Sequence, residues 1–265
     1  MNGGMYARVT ALTHEGRVRT HNEDTIVVGR WIRNAPMSAP MQFIKELDPP
    51  LLCLVADGMG GHAAGEEASR LVASRLSEQP IPPTDEEVLG TLLRDLNSSV
   101  FDAMAESDHL RGMGTTVVGM VVSPNAILHF NVGDSRLYRF RDGFLRLLSV
   151  DDVPVSFPDD NSASVGSRRS HGITQALGGA EAHVEIAPHV GTETLAVGRR
   201  YLLCSDGLTD MLGVEEIEAR IGSDDAQSVA ALFEAALEAG GEDNISLVLV
   251  SIETAPSDGD PLDSA

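Results

Sequence analysis

TTVVGMVVSPNAILHFNVGDSRLYRFRDGFLRLL, residues 115–148, is the stretch on which the fold turns. Four short runs rich in aliphatic, β-branched and aromatic residues, Thr115–Val122, Ala126–Val132, Arg136–Arg141 and Phe144–Leu148, are separated only by Ser123-Pro124-Asn125, Gly133-Asp134 and Asp142-Gly143. Connections this short join antiparallel neighbours, whereas parallel strands need a crossover of about a dozen residues or more. The stretch reads as an antiparallel meander. Towards the N-terminus, Tyr6–Leu12, Thr25–Ile32 and Leu51–Ala56 are further strands, and Asn34–Pro50, with four prolines, is a surface loop or a long hairpin connection. Gly65–Gln79 repeats apolar residues at helical spacing until Pro80, Pro82 and Pro83 stop it. Thr84 then opens a second helix as N-cap, with Glu87 completing a capping box and Val88, Leu92, Leu96, Val100, Phe101 and Met104 as its buried stripe. The two helices are expected to pack as an antiparallel pair. Towards the C-terminus, Asp151–Gly172 is an irregular flap, and strands resume at Ala182–His189, Arg200–Cys204 and Ile245–Ile252. Amphipathic helices at Val214–Ile221 and Ala226–Ala239 lie between the last two. Strand clusters interrupted twice by helix pairs define an α+β layered sandwich rather than alternating β-α units. One domain over residues 1–254 and an acidic, disordered tail over 255–265 account for the chain.

Composition narrows the function. Forty acidic against nineteen basic residues give a net charge of −21, which repels nucleic acid and anionic membrane. The only lysine, Lys45, follows Ile44 rather than the glycine of a phosphate-binding loop, so a P-loop enzyme is excluded. Neither a secretory signal nor a run of roughly 18 apolar residues is present, so the expectation is a soluble cytoplasmic protein. Cys53 and Cys204 lie in apolar runs and read as buried free thiols. A thiol-based phosphatase would need an arginine downstream of its cysteine, where this chain has Met59 and Asp210.

Five acidic motifs remain. They are Arg19-Thr20-His21-Asn22-Glu23-Asp24, Ala56-Asp57-Gly58-Met59-Gly60-Gly61-His62, Gly133-Asp134-Ser135-Arg136, Ser205-Asp206-Gly207 and Glu242-Asp243-Asn244-Ile245-Ser246. Asp-Gly by itself is a common turn dipeptide. Asp57 and Asp206, however, each close a strand too apolar to be a surface edge, which places both carboxylates at the rim of a buried sheet, where an unpaired charge is expensive. Several carboxylates at one rim require cations, and an all-oxygen donor set selects Mg²⁺ or Mn²⁺ over zinc. Gly58, Gly60 and Gly61 let backbone approach an ion closely.

In this order the motifs resemble those of the metal-dependent serine/threonine protein phosphatases of the PP2C (PPM) family, in its compact bacterial form, over roughly residues 8 to 252. Gly112-Met113-Gly114-Thr115-Thr116, Ile173-Thr174-Gln175-Ala176-Leu177-Gly178 and Asp206-Gly207-Leu208-Thr209-Asp210 strengthen the likeness. The resemblance implies an α-β-β-α sandwich of two antiparallel sheets flanked by helices. It also implies that Asp57 bridges two Mn²⁺ or Mg²⁺ ions, that the Gly58 carbonyl binds one, and that Asp206 and Asp243 hold the other. Glu23 would act through metal-bound water, with Asp24 supporting, and Asp134 would serve a third, weaker site. Arg19 falls at the phosphate-gripping position and His62 at that of the general acid. The implied reaction is direct attack of a metal-bridging hydroxide on phosphoserine or phosphothreonine. The implied partners are phosphoproteins, including a Ser/Thr kinase and its substrates, met by a monomer. Two alternatives are an inactive phosphoprotein-binding member and a phosphatase of one dedicated regulator, of the anti-sigma-antagonist type. The intact Asp57, Asp206 and Asp243 argue against the first, and indifference to general phosphopeptides would mark the second. Among neighbouring residues, Arg136 is expected to anchor the Gly133-Asp134 turn through a salt bridge, Asn244 to orient Asp243, Thr115 and Thr116 to support the site, and His21 and His171 to be structural. The flap departs from the family pattern after Asp151, where Asp152-Val153-Pro154 and a serine-rich stretch follow.

Overall fold

The computed structural model describes residues 4–60, 63–154 and 172–254. Most of the expected flap, the tail and His62 lie outside these residues. Strand β1 (Met5–His14) is followed by β2 (Thr25–Val28), β3 (Trp31–Arg33), β4 (Met41–Glu46), β5 (Leu51–Ala56) and the two-residue β6 (Gly58–Met59). Helices α1 (Ala63–Ser77) and α2 (Glu86–Glu106) come next, then β7 (Gly114–Thr115), β8 (Val117–Val122), β9 (Ala126–Val132), β10 (Arg136–Arg141) and β11 (Phe144–Leu147). The chain ends with β12 (Leu177–Gly178), β13 (His189–Thr194), β14 (Arg200–Cys204), α3 (Asp206–Thr209), α4 (Val214–Glu218), α5 (Asp225–Glu238) and β15 (Ile245–Thr254).

Two six-stranded sheets carry the fold, one in the order β11-β10-β14-β15-β1-β4 and the other β13-β9-β8-β5-β2-β3, with β12-β7-β6 as a small third sheet. Every strand pair is antiparallel. Strand β5 shows why two layers are needed. All six of its residues are buried, and successive side chains point to opposite faces. Leu51, Cys53 and Val55 join the core shared with the other sheet, while Leu52, Leu54 and Ala56 join the core under α1 and α2. The far face of the other sheet is covered by α5 through Val229, Leu232 and Ala236. The expected α-β-β-α sandwich is the observed one.

The meander of residues 115–148 divides between the sheets. Strands β8 and β9 pair in one, and β10 and β11 in the other, so Gly133-Asp134 is a crossover and not a hairpin turn. The physical reason lies in β8, whose Val117 and Val121 face the helices while Val118, Met120 and Val122 face the second sheet. A single meander would have left one of those faces in water. Gly133, at φ +104, makes the turn with its α-carbon so close to Thr116 that an added Cβ would sit 2.6 Å from that side chain.

Other expectations shift locally. Residues 25–32 form a hairpin around Gly29 (φ +62) rather than one strand, and the proline-containing stretch 34–50 contains β4. Asp85, not Thr84, caps α2, its Oδ1 accepting from the amides of Glu87 and Val88 at 3.0 Å. The buried stripe is Leu89, Leu93, Leu96 and Val100, and Val88 is 56% exposed. A strict four-residue spacing slips about 40° per step around a 3.6-residue helix, so it cannot stay on one face. Residues 182–188 are not a strand, since Ile186 alone among them is buried, and pairing begins at His189. Both cysteines are buried free thiols, as expected.

Candidate functional site

Strands β5 and β14 run out at the same rim at which β2 and β15 begin, because Thr25 lies opposite Ala56 and Cys204 opposite Leu247. Asp57 and Asp206 therefore follow two buried strands while Asp24 and the Asp243-Asn244 pair precede two others, and all meet where the sheets face each other. Ser205 Oγ spans the gap, donating to Asp24 Oδ2 at 2.9 Å. The β9–β10 crossover adds Asp134.

Close backbone approach makes this gathering possible. A Cβ on Gly58 would stand 2.2 Å from the Gly65 carbonyl oxygen, and one on Gly207 would stand 1.9 Å from that of Asn244. Gly65 itself packs against the Glu23 carboxylate, where a Cβ would meet Oε2 at 2.0 Å. The Asp57 carbonyl accepts from the Thr116 amide and Thr115 Oγ1, both at 2.9 Å. Asn244 bonds Asp243 as expected, through its backbone amide, which donates to Oδ1 at 2.8 Å. Its side chain ties down the loop before β2, accepting from the Glu23 amide at 2.8 Å and donating to the carbonyls of Glu15 at 3.1 Å and His21 at 2.9 Å.

The result is a cleft of about 1040 Å³ whose lining includes seven acids, Glu23, Asp57, Asp134, Asp206, Asp210, Glu242 and Asp243, and two arginines, Arg19 and Arg136. Both guanidinium groups are engaged. Arg19 Nη2 donates to Asp243 Oδ2 at 2.6 Å. Arg136 is paired with Asp151 through Nε at 3.0 Å and Nη2 at 2.5 Å, and not with Asp134, so it anchors the chain after β11 instead of the crossover carboxylate. Burial, reinforced by the neighbouring carboxylates, holds the Asp57 carboxyl well above the usual range and pushes Asp206 up to about 8. Asp134 is raised for the same first reason. Beneath the cleft, fully buried Asp24 is pushed up to about 6, chiefly by burial, and its Oδ1 has no hydrogen-bond partner.

Seven of the nine residues singled out in the sequence thus come together in or at the cleft: Arg19, Glu23, Asp57, Gly58, Asp134, Asp206 and Asp243. Asp24 lies just under it, and His62 is outside the described residues. Asp210 and Glu242, which the sequence reading assigns no role, also line the cleft. Asp210 could have been found from its spacing, since it stands four residues after Asp206, and its amide bonds the Asp206 carbonyl at 2.8 Å across the short helix α3.

An all-oxygen set of carboxylates with a carbonyl at Gly58, and without cysteine or histidine among the described lining residues, fits Mn²⁺ or Mg²⁺. The orphaned oxygen of Asp24 and the raised carboxyls are what such a set shows before a cation neutralises it. Among the described residues, no three His, Cys, Asp or Glu side chains already stand close enough together to hold an ion.

Fold and site together define a layered α-β-β-α sandwich with an acidic, oxygen-lined cleft at the rim between its sheets. The chain belongs to the protein phosphatase 2C family, whose family model matches residues 41–249. It is 34% identical over 254 residues to the serine/threonine protein phosphatase PstP of Mycobacterium tuberculosis, a match covering 92% of this chain and 45% of that one, so the chain spans about half the length of this relative. It is equally 34% identical to the serine/threonine phosphatase stp of Listeria monocytogenes, over 90% of this chain and 93% of the relative. Among solved structures, the catalytic domain of PstP in complex with two manganese ions superposes with a TM-score of 0.74 at 32% identity, covering 94% of this chain and 99% of that one. PppA, a regulatory component of the type VI secretion system in Pseudomonas aeruginosa, superposes with a TM-score of 0.71 at 29% identity, over 93% and 98% of the two chains. Among the described residues no helix is long and apolar enough to cross a membrane.

Proposed function

We propose that this chain is a metal-dependent protein serine/threonine phosphatase that hydrolyses phosphoserine and phosphothreonine on proteins, among them a Ser/Thr kinase and its substrates. The observation that carries the reading is the cleft in which seven carboxylates face two arginines that are already engaged. Asp57, the Gly58 carbonyl, Asp206, Asp243 and Glu23 would hold two Mn²⁺ or Mg²⁺ ions, and Asp134 a third, weaker one. When bound, such ions reverse the local field for a phosphate dianion and lower the pKa of water.

The chain's own groups supply the rest. Arg19 stands half-exposed at the cleft, and its planar fork matches two phosphate oxygens. Its exposed pairing with Asp243 is worth only about 0–1 kcal/mol, so exchange of carboxylate for phosphate costs little. Asn244 holds the Glu23 backbone and the Asp243 side chain in one register, keeping the two acids fixed while substrate comes and goes. Met59, Ile173, Met211 and Val214 give the cleft an apolar flank against which peptide can lie. His62, by its position in the family pattern, is assigned protonation of the leaving alkoxide.

The test is release of phosphate from a phosphothreonine peptide and from an aryl phosphate, with Mn²⁺, with Mg²⁺ and with EDTA. Metal-dependent release from both is expected. A folded protein that releases none with either ion overturns the proposal.

A further inference from the structure

Asp152 is not in the cleft, and only 6% of it is exposed, yet its carboxylate meets three other residues. Its Oδ2 accepts from the Gly133 amide at 2.8 Å, and its Oδ1 accepts from Gln175 Nε2 at 2.7 Å and lies 2.9 Å from His189 Nε2. Its backbone repeats the pattern, the amide donating to the Gly133 carbonyl at 3.1 Å and the carbonyl accepting from the Thr174 amide at 2.7 Å. Asn131 closes the same node from below, donating to the Gly133 carbonyl at 3.3 Å and bonding both backbone groups of Val150. Gln175 extends it, its Oε1 accepting from the Ala187 amide at 2.7 Å.

Three separate pieces of chain are thus clasped by one carboxylate: the crossover at Gly133, Gln175 and, at the start of β13, His189. A buried carboxylate costs several kcal/mol unless its lone pairs are satisfied, and here the donors are aimed at it from three elements. The piece with most at stake is the crossover. Gly133 is held on both its amide and its carbonyl by Asp152, and the next residue is Asp134, which projects into the cleft.

We propose that Asp152 is a positioning residue that sets the Asp134 carboxylate, and with it the divalent-ion affinity of the third site. This rests on the assignment of Asp134 as an ion ligand made above. Residues that orient metal ligands without touching the ion typically change affinity 10–100-fold when altered. Asp152→Asn keeps the shape but turns one acceptor oxygen into a donor, so it cannot satisfy the same set of donors.

The experiment is a Mn²⁺ titration, read from the paramagnetic resonance of free Mn²⁺, on wild type, Asp152→Asn, Asp134→Asn and the double variant, with the metal-free melting temperature of each. Asp152→Asn is expected to weaken the weakest Mn²⁺ site about tenfold and to add nothing in the Asp134→Asn background, while its effect on melting is the same in both. Unchanged Mn²⁺ binding in Asp152→Asn, or equal weakening in both backgrounds, overturns the inference and leaves the Asp134 assignment standing. If Asp134→Asn itself leaves the titration of wild type unaltered, the assignment fails and the inference with it. Should Asp152→Asn not fold, His189→Leu removes one donor and leaves the carboxylate. It is expected to weaken the site about threefold, and His189→Gln, whose amide reaches the place of Nε2, to restore it. A His189→Leu protein with unaltered Mn²⁺ binding counts against the inference in the same way.

Discussion

Among the described residues, Asp-Gly occurs at 57–58 and 206–207 and again at 142–143, and the same dipeptide does opposite things in the two regions. At 142–143 it is a hairpin turn: both residues have positive φ, the flanking Arg141 and Phe144 are exposed, and a Cβ on Gly143 would meet nothing within 4 Å. At the rim, Asp57 and Asp206 follow strands whose last residues, Ala56 and Cys204, are fully buried, and neither Gly58 nor Gly207 needs a positive φ. Their glycines are there because another backbone passes within about van der Waals contact of Cα. In the turn glycine serves conformation, and at the rim it serves proximity. Proximity is what crowds the carboxylates.

The sharpest way to break this contrast is to neutralise one acid on each side of it. Asp206→Asn is expected to lower kcat/KM for a phosphopeptide by about 10³, since an ion is worth several kcal/mol to a developing phosphoryl transition state. Asp142→Asn is expected to leave kcat/KM unchanged and stability within about 0.5 kcal/mol. A comparable loss from both would erase the distinction. Next come the glycines, measured by urea denaturation. Gly207→Ala and Gly58→Ala force a methyl into backbone atoms and are expected to cost about 3 kcal/mol each, against about 1 kcal/mol for Gly143→Ala, where only the left-handed backbone is strained.

A smaller effect separates the regions by pH. The Asp24 and Asp206 carboxyls are raised from 3.8 to about 6 and about 8, so the folded protein binds more protons than the unfolded chain between about pH 4 and about pH 8. Stability of the metal-free protein therefore falls as pH rises through that window. Saturating Mn²⁺ is expected to raise the melting temperature more at pH 8 than at pH 5. A metal-free melting temperature that climbs from pH 5 to pH 8 would contradict the origin given for the raised carboxyls. The smallest effect concerns Cys53 and Cys204, on the strands that lead to the two rim acids. Burial pushes both thiols up to about 12, so labelling by a thiol reagent is expected only at the rate of unfolding.

The strands were legible wherever both faces are apolar. Leu51–Ala56, Ala126–Val132 and Arg200–Cys204 have the boundaries that their composition dictates. The site was legible for the same reason, because carboxylates at the ends of such strands stand out, and Asp57, Asp134, Asp206 and Asp243 do share one cleft. What sequence could not show is which strands share a sheet. Short turns imply antiparallel neighbours, and Gly133-Asp134 looks like one of them, but the two-sided burial of β8 forces the chain to cross to the other layer there. Contacts made across the chain were also hidden. Nothing local marks Asn244 as the clasp on Glu23, or Asp152 as the clasp on Gly133, since the partners lie 221 and 19 residues away.

A calorimetric Mn²⁺ titration of the wild-type protein beside Asp57→Asn tests most directly whether the rim carboxylates are held together for divalent cations. Wild type is expected to bind at least two Mn²⁺ ions, and Asp57→Asn, folded and with its other acids intact, to lose tight binding. Absence of Mn²⁺ binding in wild type, or the same isotherm from both proteins, would contradict that reading.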